Sequence, residues 1–171
     1  SARRRFLDRL VLALEPGHAS LAARYEAALR ERNRLLADAT APDPAWLDGL
    51  EAQLAETGAM LGASRGACVA RLGEALADTP EQPFAQPTLS YRADIPSDPA
   101  ELAAAFASGR RRDRAAGRTL SGPHRDDLIV TLAANGRPAA ECSTGEQKAM
   151  LIAIILAHAA LSDPARPRVL L

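Results

Sequence analysis

The segment from Ser143 to Leu161 limits the fold more than any other part of the chain. Between Ala149 and Leu161 every residue except His158 is apolar. A helix that is apolar on all sides expects burial in a core or a membrane. This run is too short to cross a bilayer, so it is expected to be a buried core helix. The rest of the chain must supply something for it to pack against.

Composition decides what that is. Of 171 residues, 47% are hydrophobic but only 4% aromatic, so the core must come from Leu, Ala, Ile and Val. Ala, Leu, Arg and Glu are strong helix formers, and the balance favours helices. Arg3 to Leu14 carries Phe6, Leu7, Leu10, Val11 and Leu14 on one helical face. After Pro16-Gly17, His18 to Ala37 reads as a longer helix. Asp43 caps a third, with Pro44 in its first turn, running from about Ala45 to Ala77 and weakened in its middle by Gly58 and Gly62. Pro80 to Pro87 is a linker, Thr88 to Ala93 a strand, and Ser97 to Ala116 a helix stopped by Gly117. Leu128 to Leu132 is β-rich, and Asn135-Gly136 is a tight-turn signal, so Arg137 to Cys142 is expected to return as a second strand. The expected class is mainly helical α/β: a helical arm over 1–80, a strand-helix connection over 81–118, and a lobe over 119–171.

The formal net charge is zero, so no global basic field announces a polyanionic partner. Local Arg clusters remain, at Arg3 to Arg9, Arg24 to Arg34, and Arg110 to Arg125. They read either as solvated helix faces or as phosphate contacts. The one lysine is Lys148. Cys68 and Cys142 form neither a disulfide framework nor a zinc site, which suits reduced thiols. With no signal peptide and no membrane span, a soluble cytoplasmic protein is expected. Ser1 is not a natural start, and Val169-Leu170-Leu171 reads as a strand just beginning. The chain is therefore expected to be an internal piece of a longer polypeptide, and to expose apolar surface where missing strands would cover the Ser143 helix.

Chemistry concentrates at Ser143-Thr144-Gly145-Glu146-Gln147-Lys148. Ser143 can cap the helix, and Glu146 three residues on completes a capping box. Gly145 stands in the first turn, where propensity would not choose it, and lets a ligand approach the backbone closely. Free N–H groups at a helix start favour an anion. The alternative is an ordinary capped core helix. Lys148 either contacts that anion or neutralises Glu141 or Glu146. Upstream lies Ser121-Gly122-Pro123-His124-Arg125-Asp126-Asp127. It reads as a strand-entry turn in which Arg125 pairs with Asp126, or as a loop whose Arg125 orders the Ser143 segment or touches DNA. His158 is expected to be a core or edge histidine.

Together the Ser-x-Gly-Glu-x-Lys and Gly-Pro-His-Arg-Asp strings resemble the RecF family, bacterial DNA replication and repair ATPases of the ABC type related to SMC and Rad50 proteins. Arg3-Arg4-Arg5-Phe6-Leu7-Asp8 and Arg30-Glu31-Arg32-Asn33-Arg34-Leu35-Leu36 are similar to that family's arm. The resemblance implies an ATPase head interrupted by a helical arm, with ATP and Mg²⁺ sandwiched between two heads of a homodimer. Ser143, Thr144, Gly145, Glu146 and Lys148 then match the signature segment that contacts the γ-phosphate in trans. Arg125, His124, Arg111 and Arg112 are candidate DNA or loop-ordering residues. Implied partners are double-stranded DNA near single-strand gaps and recombination-mediator proteins, and the implied setting is recombinational gap repair and the SOS response.

A P-loop needs Gly-x-x-x-x-Gly-Lys followed by Ser or Thr, and Lys148 is followed by Ala149. No Walker B acids, catalytic residues or metal ligands are identified. The family's weak DNA-dependent ATPase activity is thus not expected of this piece alone, which should hold no cofactor by itself. Two rivals remain: a stand-alone helical module binding protein or nucleic acid without a nucleotide role, and an SMC-like or Rad50-like head fragment. The latter expects long heptad repeats, and residues 17–78 are too broken by Gly and Pro for that.

Overall fold

The computed structural model describes residues 1–38, 40, 42–77 and 85–162. Residues 80–84 of the expected linker, the loop with Pro164 and Pro167, and the final apolar run lie outside them. The elements are α1 (Ala2–Leu14), α2 (His18–Ala37), α3 (Pro44–Ala77), β1 (Pro87–Arg92), α4 (Pro99–Ala116), β2 (Asp127–Leu132) and α5 (Thr144–Leu161). Two short 3-10 turns, Pro123–Arg125 and Ala139–Glu141, precede β2 and α5. The mainly helical expectation holds.

Local chemistry sets the helix ends. Asp98 caps α4 by accepting from the Glu101 amide, and Gly117 ends it in the left-handed conformation at φ 65°. β1 and β2 pair antiparallel, with Leu89 opposite Val130 and Tyr91 opposite Leu128. The two strands are separated in sequence by α4.

Helix α3 runs unbroken for 34 residues and takes part in two larger cores and a small cluster of Leu47 with Leu35 and Leu36. Its C-terminal half packs with α1, α5 and the sheet through Leu7, Val11, Cys68, Leu72, Leu128 and Ile154. Its N-terminal half packs with α2 and α4 through Tyr25, Leu54, Leu61, Leu102 and Phe106. The glycines expected to weaken α3 are where other elements press closest. A Cβ at Gly58 would stand 2.9 Å from the Pro123 ring, and one at Gly62 would meet Ser97.

Two expectations fail. Arg137 to Cys142 does not return as a strand. After Gly136, at φ 71°, the chain makes a single bridge between Thr131 and Pro138 and then turns through Ala139–Glu141. Pro138 has no N–H to continue a ladder, so the edge of β2 opposite β1 is left with that one bridge. Nor is α5 buried all round. Met150, Ile154 and Ala157 are enclosed, but Leu151, Ile152 and Leu156 are 45%, 57% and 55% exposed. One face is covered, and an apolar surface of the kind expected is left open.

Candidate functional site

At the start of α5 the capping box closes in both directions. Ser143 Oγ accepts from the Glu146 amide at 3.3 Å, and Glu146 Oε2 accepts from the Ser143 amide at 2.7 Å. Gln147 Nε2 donates to the Cys142 carbonyl at 2.9 Å. The Thr144 and Gly145 amides precede the helical ladder and have no partner among the described residues. Ser143, Thr144, Gly145 and Lys148 are exposed. Around Gly145 the only atom near the position of a Cβ is Ser143 Oγ at 4.0 Å. The helix start is ordered by its own side chains and open at its tip.

Its charges are arranged by a residue that sequence spacing did not single out. Arg137 Nη2 donates to both Glu146 carboxylate oxygens, at 2.9 and 3.1 Å. The Ser143 amide, the Ser143 hydroxyl and Arg137 together hold the Glu146 carboxyl below its usual range. The expectation that Lys148 neutralises Glu141 or Glu146 fails, because Arg137 has taken Glu146. Lys148 has no acidic partner among the described residues and borders an open groove of about 540 Å³ with Gly145, Ile152 and Leu156.

The Gly122–Asp127 string builds a tightly fastened turn. Gly122 sits at φ 129°, and a Cβ there would lie 3.0 Å from the Phe106 ring, so only glycine fits. Its amide donates to Asp94 at 2.8 Å, and the Pro123 carbonyl accepts from Arg65 at 2.8 Å. His124 Nδ1 lies 2.9 Å from the Tyr25 hydroxyl and Nε2 lies 3.1 Å from the Thr119 carbonyl. A carbonyl only accepts, so Nε2 carries the proton and Tyr25 donates to Nδ1. Burial pushes the imidazole below its ordinary value, with Arg4 and Arg125 adding to the effect against the Thr119 carbonyl. His124 is thus a neutral structural clamp.

The expected Arg125–Asp126 pair does not form. Asp126 is 2% exposed and accepts from Arg65 at 3.1 Å, from the Asp94 amide at 2.9 Å and from the Tyr91 hydroxyl. Arg125, the last residue of the 3-10 turn, faces out, exposed and without a side-chain partner among the described residues. Arg112 donates to Ser121 Oγ at 3.1 Å, which ties α4 to this turn, while Arg111 is exposed. No hydrogen bond or ion pair joins these arginines to the start of α5 among the described residues.

Arg32, read in the sequence as part of a charged arm string, is fully enclosed. It donates to Glu51 at 3.0 Å, Asp113 at 2.8 Å, Thr119 Oγ1 at 2.7 Å and the Phe106 carbonyl at 2.8 Å. No local signal separates it from its exposed neighbours Arg30 and Arg34; the helical period alone places it inward. His158 is an edge histidine as expected, with Nε2 donating to the Leu10 carbonyl at 2.8 Å. Among the described residues no His, Cys, Asp and Glu cluster could hold a metal, and no helix is long and apolar enough to cross a membrane.

No family model matches the chain. It is 47% identical over 170 residues to the DNA replication and repair protein RecF of Mesorhizobium japonicum, covering 94% of this chain and 45% of that protein. It is 48% identical over 174 residues to the protein of that name from Caulobacter vibrioides, with the same coverage. The chain thus spans a little under half the length of the curated relatives it matches. In architecture it is similar to a solved structure of the recombination mediator protein RecF with ATP in the RecFOR pathway. The TM-score is 0.82 at 20% identity, over 92% of this chain and 45% of that one.

Proposed function

The chain belongs, over the length it spans, to the RecF family, and on that premise we propose that it carries the signature half of a composite ATP site in a DNA replication and repair protein. In this reading the start of α5 contacts the γ-phosphate of ATP and Mg²⁺ held by the other head of a homodimer. The observation that carries it is the open helix start, where, among the described residues, the Thr144 and Gly145 amides are unpartnered and no side chain stands in front of Gly145. Unpartnered N–H groups at a helix N-terminus fit phosphate oxygens. Ser143 Oγ lies beside them, and Lys148, free of acids, adds a positive charge one turn on. The chain's part is to bind and orient a phosphate. The P-loop and the Walker B acids belong to the rest of the protein.

Residues 1–80 serve as the arm, 81–118 as the connection and 119–171 as part of the head. Arg125 and Arg111, exposed and without an ion-pair partner among the described residues, are the better placed of the four candidates to meet the backbone of double-stranded DNA near a single-strand gap. Such contacts carry strong salt dependence and no sequence preference. Recombination-mediator proteins are the expected protein partners, since the solved relative is itself described as a mediator in the RecFOR pathway.

The test is Ser143→Arg in the full-length protein, followed by sedimentation with and without ATP. ATP-dependent dimerisation should be abolished while the far-UV spectrum is unchanged. Unaltered dimerisation would leave the helix start a structural cap and favour the interaction-module reading.

A further inference from the structure

The signature reading leaves one electrostatic problem. Glu146 occupies the third position of α5, where its carboxylate completes the cap. The same carboxylate places a full negative charge within the turn that is to receive a phosphate, and like charges there repel. The fold supplies an answer that is neither in the helix nor in the motif.

Arg137 lies nine residues upstream, on the turn after β2. Two hydrogen bonds and a glycine turn hold its backbone. Its amide donates to Asn135 Oδ1 at 3.0 Å, its carbonyl accepts from the Leu132 amide at 2.8 Å, and Gly136 before it takes the positive φ that closes the turn. From there its guanidinium reaches both oxygens of Glu146, one of which also accepts from the Ser143 amide. Arg137, Glu146 and Ser143 thus form one chain of contacts from the end of the sheet to the tip of the helix. Glu141 and Lys148 are the other charges at this end, so removing Arg137 changes the local sum from zero to one negative charge.

We propose that Arg137 is a positioning residue for the signature helix. Its guanidinium fastens and neutralises the capping carboxylate, so that the start of α5 offers N–H groups and no net negative charge to an arriving phosphate. The proposal rests on the signature reading above. It assigns to the Asn135-Gly136-Arg137 turn the task of carrying that cation, in place of starting a second strand. Glu146 then caps the helix without repelling the ligand.

The test uses the full-length protein and reads the ATP concentration that half-saturates dimerisation, at low and at high salt. Arg137→Gln should raise that concentration about five- to tenfold at low salt and less at high salt, because screening weakens the exposed repulsion. Arg137→Lys keeps the charge and should recover most of the loss. The decisive variant is the double change Arg137→Gln with Glu146→Gln. Glutamine still completes a capping box, and the double variant should need no more ATP than Glu146→Gln alone. If the double variant is as impaired as Arg137→Gln, or if Arg137→Gln has no effect, the proposal is overturned. If Ser143→Arg dimerises normally, the signature reading itself fails, so the two failures are told apart. Thermal unfolding of each variant separates loss of fold, for which Arg137→Lys is the fallback variant.

Discussion

The two ends of α3 are held by different physics. Around its N-terminal half, α2, α3 and α4 meet over an enclosed cation: Arg32 gathers Glu51, Asp113, Thr119 and the Phe106 carbonyl at 2.7 to 3.0 Å, and its guanidinium stacks 5.5 Å from the Phe106 ring centre. Around its C-terminal half, α1, α5 and the sheet meet over the apolar cluster of Leu7, Val11, Leu72 and Leu128, while a second buried arginine, Arg65, ties that half to Asp8, Asp126 and the Pro123 carbonyl at 2.8 to 3.1 Å. The first arrangement is directional and tolerates little rearrangement, since each donor has one acceptor. The apolar cluster beside α5 is an area effect that accepts any apolar cover. It is also the region that leaves Leu151, Ile152 and Leu156 facing out. The region of α2 and α4 is therefore self-satisfied, while the region carrying the candidate phosphate site is open to further packing.

The sharpest way to break this comparison is to remove the cation. Arg32→Met leaves Glu51 and Asp113 enclosed with reduced compensation, and a loss of about 3–5 kcal/mol is expected. Chemical denaturation of the full-length protein measures it. Arg32→Lys should recover little, because an ammonium cannot reach four acceptors in a planar fork. A loss below about 1 kcal/mol would show that the network is incidental to the fold.

A second pair of variants tests packing along α3 and should give opposite signs. Gly58→Ala drives a methyl into Pro123 and Tyr25 and should cost about 1–3 kcal/mol. Gly73→Ala meets nothing within 4 Å and should gain up to about 1 kcal/mol from helix propensity. Equal effects would mean that the close approach at Gly58 does not govern stability.

The smallest effect expected is a pH dependence from His124. Its folded pKa lies below the ordinary 6.5, so the neutral ring is the form the fold prefers. Its contribution is complete above pH 6.5 and falls as the pH drops further, because the unfolded state then binds the proton more readily. His124→Gln should flatten that part of the stability profile, and Tyr25→Phe should alter it.

Much of this was legible in the residues. His18 to Ala37 is α2 as read, because an apolar stripe between two breakers leaves little freedom. The Ser143–Glu146 box forms as read, because it depends on atoms three residues apart. What was not legible depends on distant partners. Arg137 to Cys142 has the composition of a returning strand, but its pairing stops at the Thr131–Pro138 bridge and the chain turns through Ala139–Glu141 into the cap of α5. Arg125 next to Asp126 looks like a pair until Arg65, some sixty positions away, takes the carboxylate. Gly58 and Gly62 look like weaknesses until Pro123 and Ser97 are brought against them. Arg137 carried no signal, since its meaning lies in a contact across a turn.

The length of α3 has a mechanical consequence. At 1.5 Å per residue its 34 residues form a rod of about 51 Å. Gly58 and Gly62 fall near its midpoint, and there Pro123 and Ser97 grip it most closely. A rod gripped at its middle is a lever on a fulcrum. A tilt of about 1° at the end beside Asp48 displaces that end by roughly 0.4 Å, and the end against α5 swings as far the opposite way. Whatever displaces the end of α3 beside Asp48 is thereby felt, reversed in direction, beneath the helix that begins at Ser143.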